Sequence, residues 1–148
     1  MISWPTTPEQ IRICRELIIA RCGGTPGDDA HYLVWMQDLQ IEWIVVIDGW
    51  IGRTCLMGMA STHPRMVPRQ LAKATWRYVF DILKRKRVLA FVDESNSTAL
   101  RIDKWLGFKE ERRWPGMGND GSDLLLLGAG ADDLRFYERE HHGQKEYA

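Results

Sequence analysis

The chain has 148 residues, 45% of them hydrophobic, and its 20 basic residues balance its 20 acidic residues, so the formal net charge is zero. This balance excludes an overall positive field that would attract nucleic acid or an anionic membrane, and the lack of an apolar leader or of an apolar run of roughly 18 residues predicts neither secretion nor membrane insertion. Two of the three cysteines, Cys14 and Cys22, fall on one predicted helix about 12 Å apart, too far for a disulfide, which favours a reduced, cytoplasmic protein.

The first predicted element is a helix over Pro8–Cys22. Thr7 and Gln10 flank its start with the spacing of a capping box, in which Thr7 is the N-cap. Glycines at 23 and 24 end the helix. Its apolar stripe consists of Ile11, Ile13, Cys14, Leu17 and Ile18. A loop follows, and residues 30–40 have no pattern that assigns them to a helix or a strand.

A hairpin is predicted by Asp48 and Gly49, which separate two stretches rich in β-branched and aromatic residues. An Asp-Gly pair at such a junction is the strongest short-range signal for a tight turn. We therefore predict two antiparallel strands, at residues 41–47 and 50–60.

The second half of the chain predicts two helices and two strands. Prolines at 64 and 68 end the sheet region, and a long helix over residues 69–85 follows. Its recurring stripe consists of Leu71, Thr75, Tyr78, Val79 and Ile82. The segments "RVLAFVDE" and "DLLLLGAG" predict strands, and "NSTALRIDKWLG" between them predicts a helix that Gly107 ends. This order indicates a mixed sheet with helices on its faces, in a domain over residues 1–134 followed by a charged C-terminal tail at residues 135–148.

The stretch "VLAFVDESNSTALRIDKWLGFKEERRW", followed by "DGSDLLLL", resembles the GNAT superfamily of acyl-CoA-dependent N-acyltransferases. Asn96 lies just past a strand and begins the pattern N-x-x-A with Ala99, and Leu106, Gly107 and Phe108 supply the L-G-F that closes the helix. The resemblance spans roughly residues 41–128. It implies an α+β fold with a central, mostly antiparallel sheet flanked by helices, and acetyl-CoA as the cofactor.

The loop that would bind the cofactor departs from the family pattern. In that pattern, Q/R-x-x-G-x-G/A opens the long helix, and its backbone N–H groups and the helix dipole hold the pyrophosphate. When this pattern is aligned on residues 67–72, only Ala72 conforms to it. Pro68 removes a potential N–H donor, and Gln70 stands where close approach of the backbone to the ligand calls for glycine. If acyl-CoA binds, the resemblance implies contacts from Arg65, Arg69, Gln70, Leu71, Ala72, Lys73 and Asn96.

Two of these assignments have structural alternatives. The cluster of Arg65, Arg69 and Lys73 could hold phosphates by charge, or it could be the solvated basic face of the helix. Asn96 could contact the ligand, or it could cap the helix that follows, since asparagine is among the best N-cap residues.

The residues at the positions that would carry out proton transfer also differ from those of the family. Asp103 occupies the position where many members keep a tyrosine that protonates the departing thiolate, and a carboxylate can do this only if burial raises its pKa. The predicted strand over residues 50–60 offers Arg53 and no acid to take the proton of the amine, which leaves Glu42 on the preceding strand. The histidines at 31, 63, 141 and 142 lack the spacing of metal ligands, and no metal site is predicted.

Two functions remain open. The first is an active acetyl-CoA-dependent N-acetyltransferase with an unusual cofactor loop. The second, favoured by the altered loop and the missing tyrosine, is a non-catalytic interaction or structural protein, similar to the degenerate GNAT-like proteins of bacteriophages. It would belong to a virion or its assembly, in the host cytoplasm and the virion, with other virion proteins or a second copy as partners and no nucleic acid. Tryptophans at 4, 50 and 114 would make the contacts, a hypothesis that fails if Trp50 and Trp114 are fully buried.

Overall fold

The computed structural model describes residues 1–22, 24–62 and 66–138. In these residues, seven strands form one sheet: β1 (Ile2–Ser3), β2 (His31–Gln37), β3 (Gln40–Ile51), β4 (Thr54–Ser61), β5 (Arg87–Asp93), β6 (Lys109–Trp114) and β7 (Leu124–Gly130). The α-helices are α1 (Pro8–Cys22), α2 (Arg69–Trp76) and α3 (Ser97–Leu106). A π-helical turn, Arg77–Ile82, continues α2, and a 3-10 turn, Ala131–Asp133, follows β7.

The strands lie in the order β1-β2-β3-β4-β5-β7-β6. Neighbouring described strands are antiparallel except for β4 and β5, which are parallel. Buried residues of α1 pack with one set of side chains from β2, β3 and β4, and those of α2 and α3 belong to a second, larger apolar cluster. The predicted mostly antiparallel sheet flanked by helices is therefore confirmed.

Helix α1 has the predicted bounds and the predicted capping box. The backbone N–H of Gln10 donates to the Thr7 hydroxyl at 3.1 Å, and the Gln10 side chain accepts from the N–H of Thr7 at 3.2 Å. The buried stripe is narrower than predicted, because α1 packs through Cys14 and Ile18, whereas Ile11 remains 39% exposed.

The predicted hairpin is confirmed, but its turn lies at residues 52–53 and not at residues 48–49. Ile51 pairs with Thr54 across the turn. Gly49 instead sits in an irregularity of β3, with a φ of 61°. Glycines at 49 and 52 both adopt the positive φ that a tight turn needs. Ile47 lies opposite Met57. A turn at residues 48–49 would place Ile47 opposite Trp50, so the pairing register of the two strands excludes it.

The predicted helix over residues 69–85 is confirmed as an α-helix only in its first half. Helix α2 ends at Trp76 and continues as the π-helical turn. In that turn the N–H of Leu83 donates to the carbonyl of Tyr78, the i to i+5 bond of a π-helix. This wider turn changes which residues share a face, so Ile82 of the predicted stripe is 58% exposed.

Strands β5 and β7 and helix α3 are confirmed. Gly107 ends α3 with a φ of 119°, as its position in the sequence predicted. Strand β6 was not predicted on its own. It lies at the edge of the sheet, paired with β7, and all its residues but Trp114 are exposed, so it lacks the apolar alternation that marks a half-buried strand.

Packing extends past residue 134, where the sequence predicted the domain to end. The indole N–H of Trp76 donates to the carbonyl of Arg135 at 2.8 Å. The ring of Phe136 packs on that of Trp105, with centroids 5.5 Å apart. Residues 139–148 of the predicted tail lie outside the described residues.

The three tryptophans proposed as contact points each pack on another ring. Trp4 lies against Tyr78, Trp50 against His31 and Trp114 against Phe91. Trp4 is 43% exposed, and Trp50 and Trp114 are half-buried. The condition that would have overturned the contact hypothesis is not met, and that hypothesis stays a prediction.

Candidate active site

A cleft opens where β4 and β5 separate. The two strands are paired at three positions, of which Leu56 opposite Leu89 is the last. Beyond it, β4 stays paired with β3, with Ser61 opposite Trp43, while β5 stays paired with β7. The two strands therefore diverge, and a cavity of about 500 Å³ fills the gap. We refer to this cavity as the cleft.

The wall of the cleft is formed by the end of α1 with the loop after it, part of β3, the separated ends of β4 and β5, and part of α3. Its titratable side chains are Arg21, Cys22, Asp48, Asp93 and Asp103. Asp48 accepts a hydrogen bond from the N–H of Gly27 at 3.0 Å, and Asp93 accepts one from the N–H of Asn119 at 3.1 Å. Asp103 is thus the cleft carboxylate that has no hydrogen-bond donor among the described residues.

Asp103 is buried by the helix that carries it. The buried side of α3 faces the core with Ile102 and Leu106, and Asp103 lies beside Ile102 at the edge of that face. Its side chain is 8% exposed. Burial raises the pKa of Asp103 to about 7, because the charged form loses its hydration without gaining a partner. Asp103 can therefore hold and release a proton near neutral pH. The sequence predicted this ability only on the condition that the side chain is buried.

Cys22 faces the same cleft from the last turn of α1. Its thiol donates a weak hydrogen bond to the carbonyl of Met59 on β4, at 3.2 Å. Cys22 is exposed, yet it lies in the mouth of the cleft where protein displaces water. Burial, and after it the charge of Asp103, raise the pKa of Cys22 to about 11. Sequence reasoning missed this contact, because it weighed the cysteines only as partners for a disulfide.

Asn96 caps α3 and also lines the cleft. Its side-chain oxygen accepts the N–H of Ala99 at 3.1 Å, which is the predicted N-cap bond. Both Asn96 and Ala99 border the cavity. The cap therefore places Asn96 at the cleft, where its amide group could also contact a ligand.

The first turn of α2 differs from a glycine-rich phosphate loop. Pro68 precedes the helix, no side chain of the described residues caps it, and the N–H of Ala72 donates to the Pro68 carbonyl at 3.1 Å. Leu71 and Ala72 are fully buried in the core. These two residues thus offer a ligand no side-chain group, and the N–H of Ala72 is already bonded to Pro68.

The predicted cations at this helix start are engaged by the C-terminal segment. The guanidinium of Arg69 lies 5.0 Å from the ring centroid of Phe136. The Lys73 ammonium lies 3.6 Å from the carboxylate of Glu138. Lys73 and Gln70 line a separate cavity of about 720 Å³ on the outer side of α2.

Of the predicted site residues, the structure brings Asn96 and Asp103 together in the cleft. Glu42 lies on β3, outside the residues that line the cleft. Arg65 lies outside the described residues.

Neither a metal-binding cluster nor a membrane-spanning helix is present in the described part of the chain. In residues 1–22, 24–62 and 66–138, no three side chains of His, Cys, Asp or Glu are grouped to hold a metal ion. Within the same ranges, every helix is too short or too polar to cross a membrane.

No protein family and no curated sequence matches the chain, but solved structures of N-acetyltransferases do. The spermidine N-acetyltransferase of Vibrio cholerae, in complex with CoA and spermine, superposes with a TM-score of 0.70 at 13% sequence identity, covering 89% of this chain and 96% of that chain. A protein assigned as a phosphinothricin N-acetyltransferase superposes with a TM-score of 0.66 at 16% identity, covering 88% and 98%.

The strand order, the divergence of β4 and β5 and these superpositions define the class of the fold, which is the GNAT fold of N-acetyltransferases. The predicted resemblance is thereby confirmed at the level of the fold. At these identities the likeness is one of fold alone, so the function has to be argued from the cleft.

Proposed function

We propose that the chain is an acetyl-CoA-dependent N-acyltransferase that transfers an acyl group to an amine, with Asp103 carrying the proton. The cleft is the observation that supports this proposal. Parallel strands separate beyond Leu56 and Leu89, and the cavity between them holds a buried carboxylate without a hydrogen-bond donor in the described residues.

The residues of the cleft fit an acyl-pantetheine arm. Past Leu56 and Leu89, the backbone groups of β4 and β5 face a gap in place of each other, so they can bond to the amides of the arm. The pyrophosphate would meet the uncapped first turn of α2. Arg69, at the first position of that helix, would approach the phosphates if it left the ring of Phe136.

Asp103 can serve both proton transfers of the reaction. Acetyl-CoA would supply an acyl group activated as a thioester. The transfer forms a C–N bond and breaks the C–S bond, and one proton passes from the amine to the departing sulfur. Because the pKa of Asp103 is about 7, both protonation states are populated at neutral pH, and the side chain can accept one proton and donate another.

A calorimetric titration with acetyl-CoA tests binding, and the release of CoA thiol in the presence of spermidine tests transfer. The wild type should bind and turn over. Asp103→Asn should bind but release CoA on the order of 100-fold more slowly, the loss expected for a missing proton carrier. No heat from the wild type at high concentrations of acetyl-CoA would contradict the proposal.

A separate variant, with a matched control, tests the proposed contact between Arg69 and the phosphates of the cofactor. Arg69→Glu should weaken binding of acetyl-CoA, because it sets a negative charge beside the phosphates. Arg53→Glu makes the same charge change at the exposed turn of the β3–β4 hairpin. That control should bind as the wild type does.

A second candidate function is favoured by the engagement of Arg69 with Phe136 and of Lys73 with Glu138. If these cations stay occupied, the chain is a non-catalytic interaction component of a bacteriophage virion or of its assembly, in the host cytoplasm and the virion, with other virion proteins or a second copy as partners. Failure to bind acetyl-CoA, together with detection of the chain in purified virions by mass spectrometry, would support this alternative. Retained binding and turnover would contradict it.

A further inference from the structure

The C-terminal segment, residues 135–138, lies against the start of α2. The ring centroid of Phe136 is 5.0 Å from the guanidinium carbon of Arg69. Two residues further on, the carboxylate of Glu138 lies 3.6 Å from the ammonium of Lys73. Arg69 and Lys73 are four residues apart, so they share one face of α2. The segment therefore contacts both of the cations that the structure describes at this helix start.

Hydrogen bonds on either side of Phe136 fix its position. The carbonyl of Arg135 accepts the indole N–H of Trp76 at 2.8 Å, and the hydroxyl of Tyr137 donates to the carboxylate of Asp81 at 2.6 Å. Phe136 itself has a φ of 70°, which a bulky residue rarely adopts. Because this conformation is unfavourable, the surrounding bonds have to hold it. The fold therefore places the ring at the helix start at a conformational cost.

The two contacts with the cations are weak enough for a phosphate to replace them. Arg69 is exposed, and the side chains of Lys73 and Glu138 are 39% and 72% exposed. At such sites a cation on an aromatic ring and an ion pair each contribute little, because water screens both. A phosphate forms charge-assisted hydrogen bonds, which are stronger. Acyl-CoA can therefore replace both contacts, but its affinity is lowered by the fraction of molecules in which the cations are occupied.

We propose that Phe136 and Glu138 compete with the phosphates of acyl-CoA for Arg69 and Lys73. This inference rests on the proposed function, because it requires that acyl-CoA binds with its phosphates at the start of α2. The C-terminal segment is then an autoinhibitory element that lowers the affinity for the cofactor. None of residues 135–138 lines the cleft, so the competition changes the KM for acetyl-CoA and leaves kcat as it is.

Phe136→Ala removes the ring from Arg69. In calorimetric titrations this variant should bind acetyl-CoA roughly two- to fivefold more tightly than the wild type, the gain expected when one cation–π contact no longer competes. In an Arg69→Ala background the same substitution should change nothing, because the competition needs the guanidinium. Trp114→Ala is the matched control. It removes a ring on β6 that lies 5.8 Å from the guanidinium of Arg112, outside the residues that line the cleft, and it should bind as the wild type does.

Glu138→Gln tests the second contact and leaves the ring in place. Because Glu138 is exposed, this variant should fold even if Phe136→Ala does not. It should bind acetyl-CoA roughly twofold more tightly, the gain expected when an exposed ion pair is lost. Glu16→Gln is its matched control, since it removes the same charge from an exposed ion pair with Arg12 on α1. That control should leave the affinity unchanged.

The outcomes separate this inference from the proposed function. If the wild type binds acetyl-CoA and neither Phe136→Ala nor Glu138→Gln binds more tightly, the inference is wrong and the proposed function survives. A gain for Phe136→Ala that persists in the Arg69→Ala background would also overturn the inference, because the ring would then act on another group. If neither the wild type nor either variant binds, the proposed function fails and the inference fails with it.

Discussion

Asp103 on α3 and Cys22 at the end of α1 face the same cavity, and the charge of Asp103 adds to burial in raising the pKa of the Cys22 thiol to about 11. Helix α1 and helix α3 pack in different apolar clusters of the molecule. Their side chains interact because β4 and β5 have separated and left a gap through the sheet. This electrostatic interaction therefore depends on the opening of the cleft.

The rate of alkylation of Cys22 measures this electrostatic interaction. Cys14 and Cys55 are buried and Cys22 is exposed, so iodoacetamide should modify one site in the native protein. Because the thiolate is the reactive form, Cys22 should react at pH 8 roughly tenfold or more slowly than an unfolded cysteine. Asp103→Asn should accelerate the reaction, and Asp93→Asn, which changes another cleft carboxylate, should not. Equal rates for wild type and Asp103→Asn would contradict the electrostatic interaction.

The burial of Asp103 predicts a pH-dependent stability. Its pKa is about 7 in the folded protein against 3.8 in the unfolded reference. Between these values the folded state binds more protons than the unfolded state, so stability falls as pH rises from about 4 to about 7. The difference of about 3 units corresponds to at most about 4 kcal/mol.

Asp103→Asn removes this titration. The variant should be more stable than the wild type at pH 8, and the advantage should vanish near pH 4, where Asp103 is neutral in the folded protein and increasingly so in the unfolded one. Urea unfolding followed by circular dichroism across this pH range measures the effect. Parallel stability curves for the two proteins would show that Asp103 keeps an ordinary pKa.

The close packing of Gly49 against Leu56 can be tested with a pair of glycines. Gly49 and Gly52 both have positive φ, so alanine strains the backbone at either site by about 1 kcal/mol. At Gly49 a Cβ would also lie 2.6 Å from the side chain of Leu56, whereas at Gly52 it meets nothing within 4 Å. Thermal denaturation should therefore show a larger loss for Gly49→Ala than for Gly52→Ala, and equal losses would contradict the close approach of Leu56 to position 49.

Two substitutions of Asn96 can distinguish its structural role as the N-cap of α3 from a role in binding acetyl-CoA. Asn96→Ala removes the cap of α3 and should cost about 1 kcal/mol of stability, whereas Asn96→Asp keeps an acceptor for the N–H of Ala99 and should cost little. If Asn96 also contacts the anionic cofactor, Asn96→Asp should weaken acetyl-CoA binding although the protein stays stable. Unchanged binding would confine Asn96 to its cap.

Elements with strong local signals were predicted correctly. The capping box of Thr7 and Gln10 set the start of α1, and Asn96 and Gly107 set the ends of α3. The turn of the β3–β4 hairpin was predicted at the wrong glycine, because both glycines tolerate positive φ and the choice depends on strand pairing. The end of α2 was also mispredicted, because the apolar spacing does not distinguish an α-turn from a π-turn.

The sequence by itself determined the fold class, the caps of α1 and α3 and the presence of a carboxylate at position 103, because these depend on residue types at short spacing along the chain. Tertiary structure alone decided that this carboxylate is buried and that Cys22 lines the same cavity. It also decided that the buried Trp43 N–H has no partner among the described residues and that Phe136 packs on Arg69. The physical reason is that desolvation, pKa and hydrogen-bond satisfaction depend on which distant segments pack together, and packing is not encoded in local periodicity.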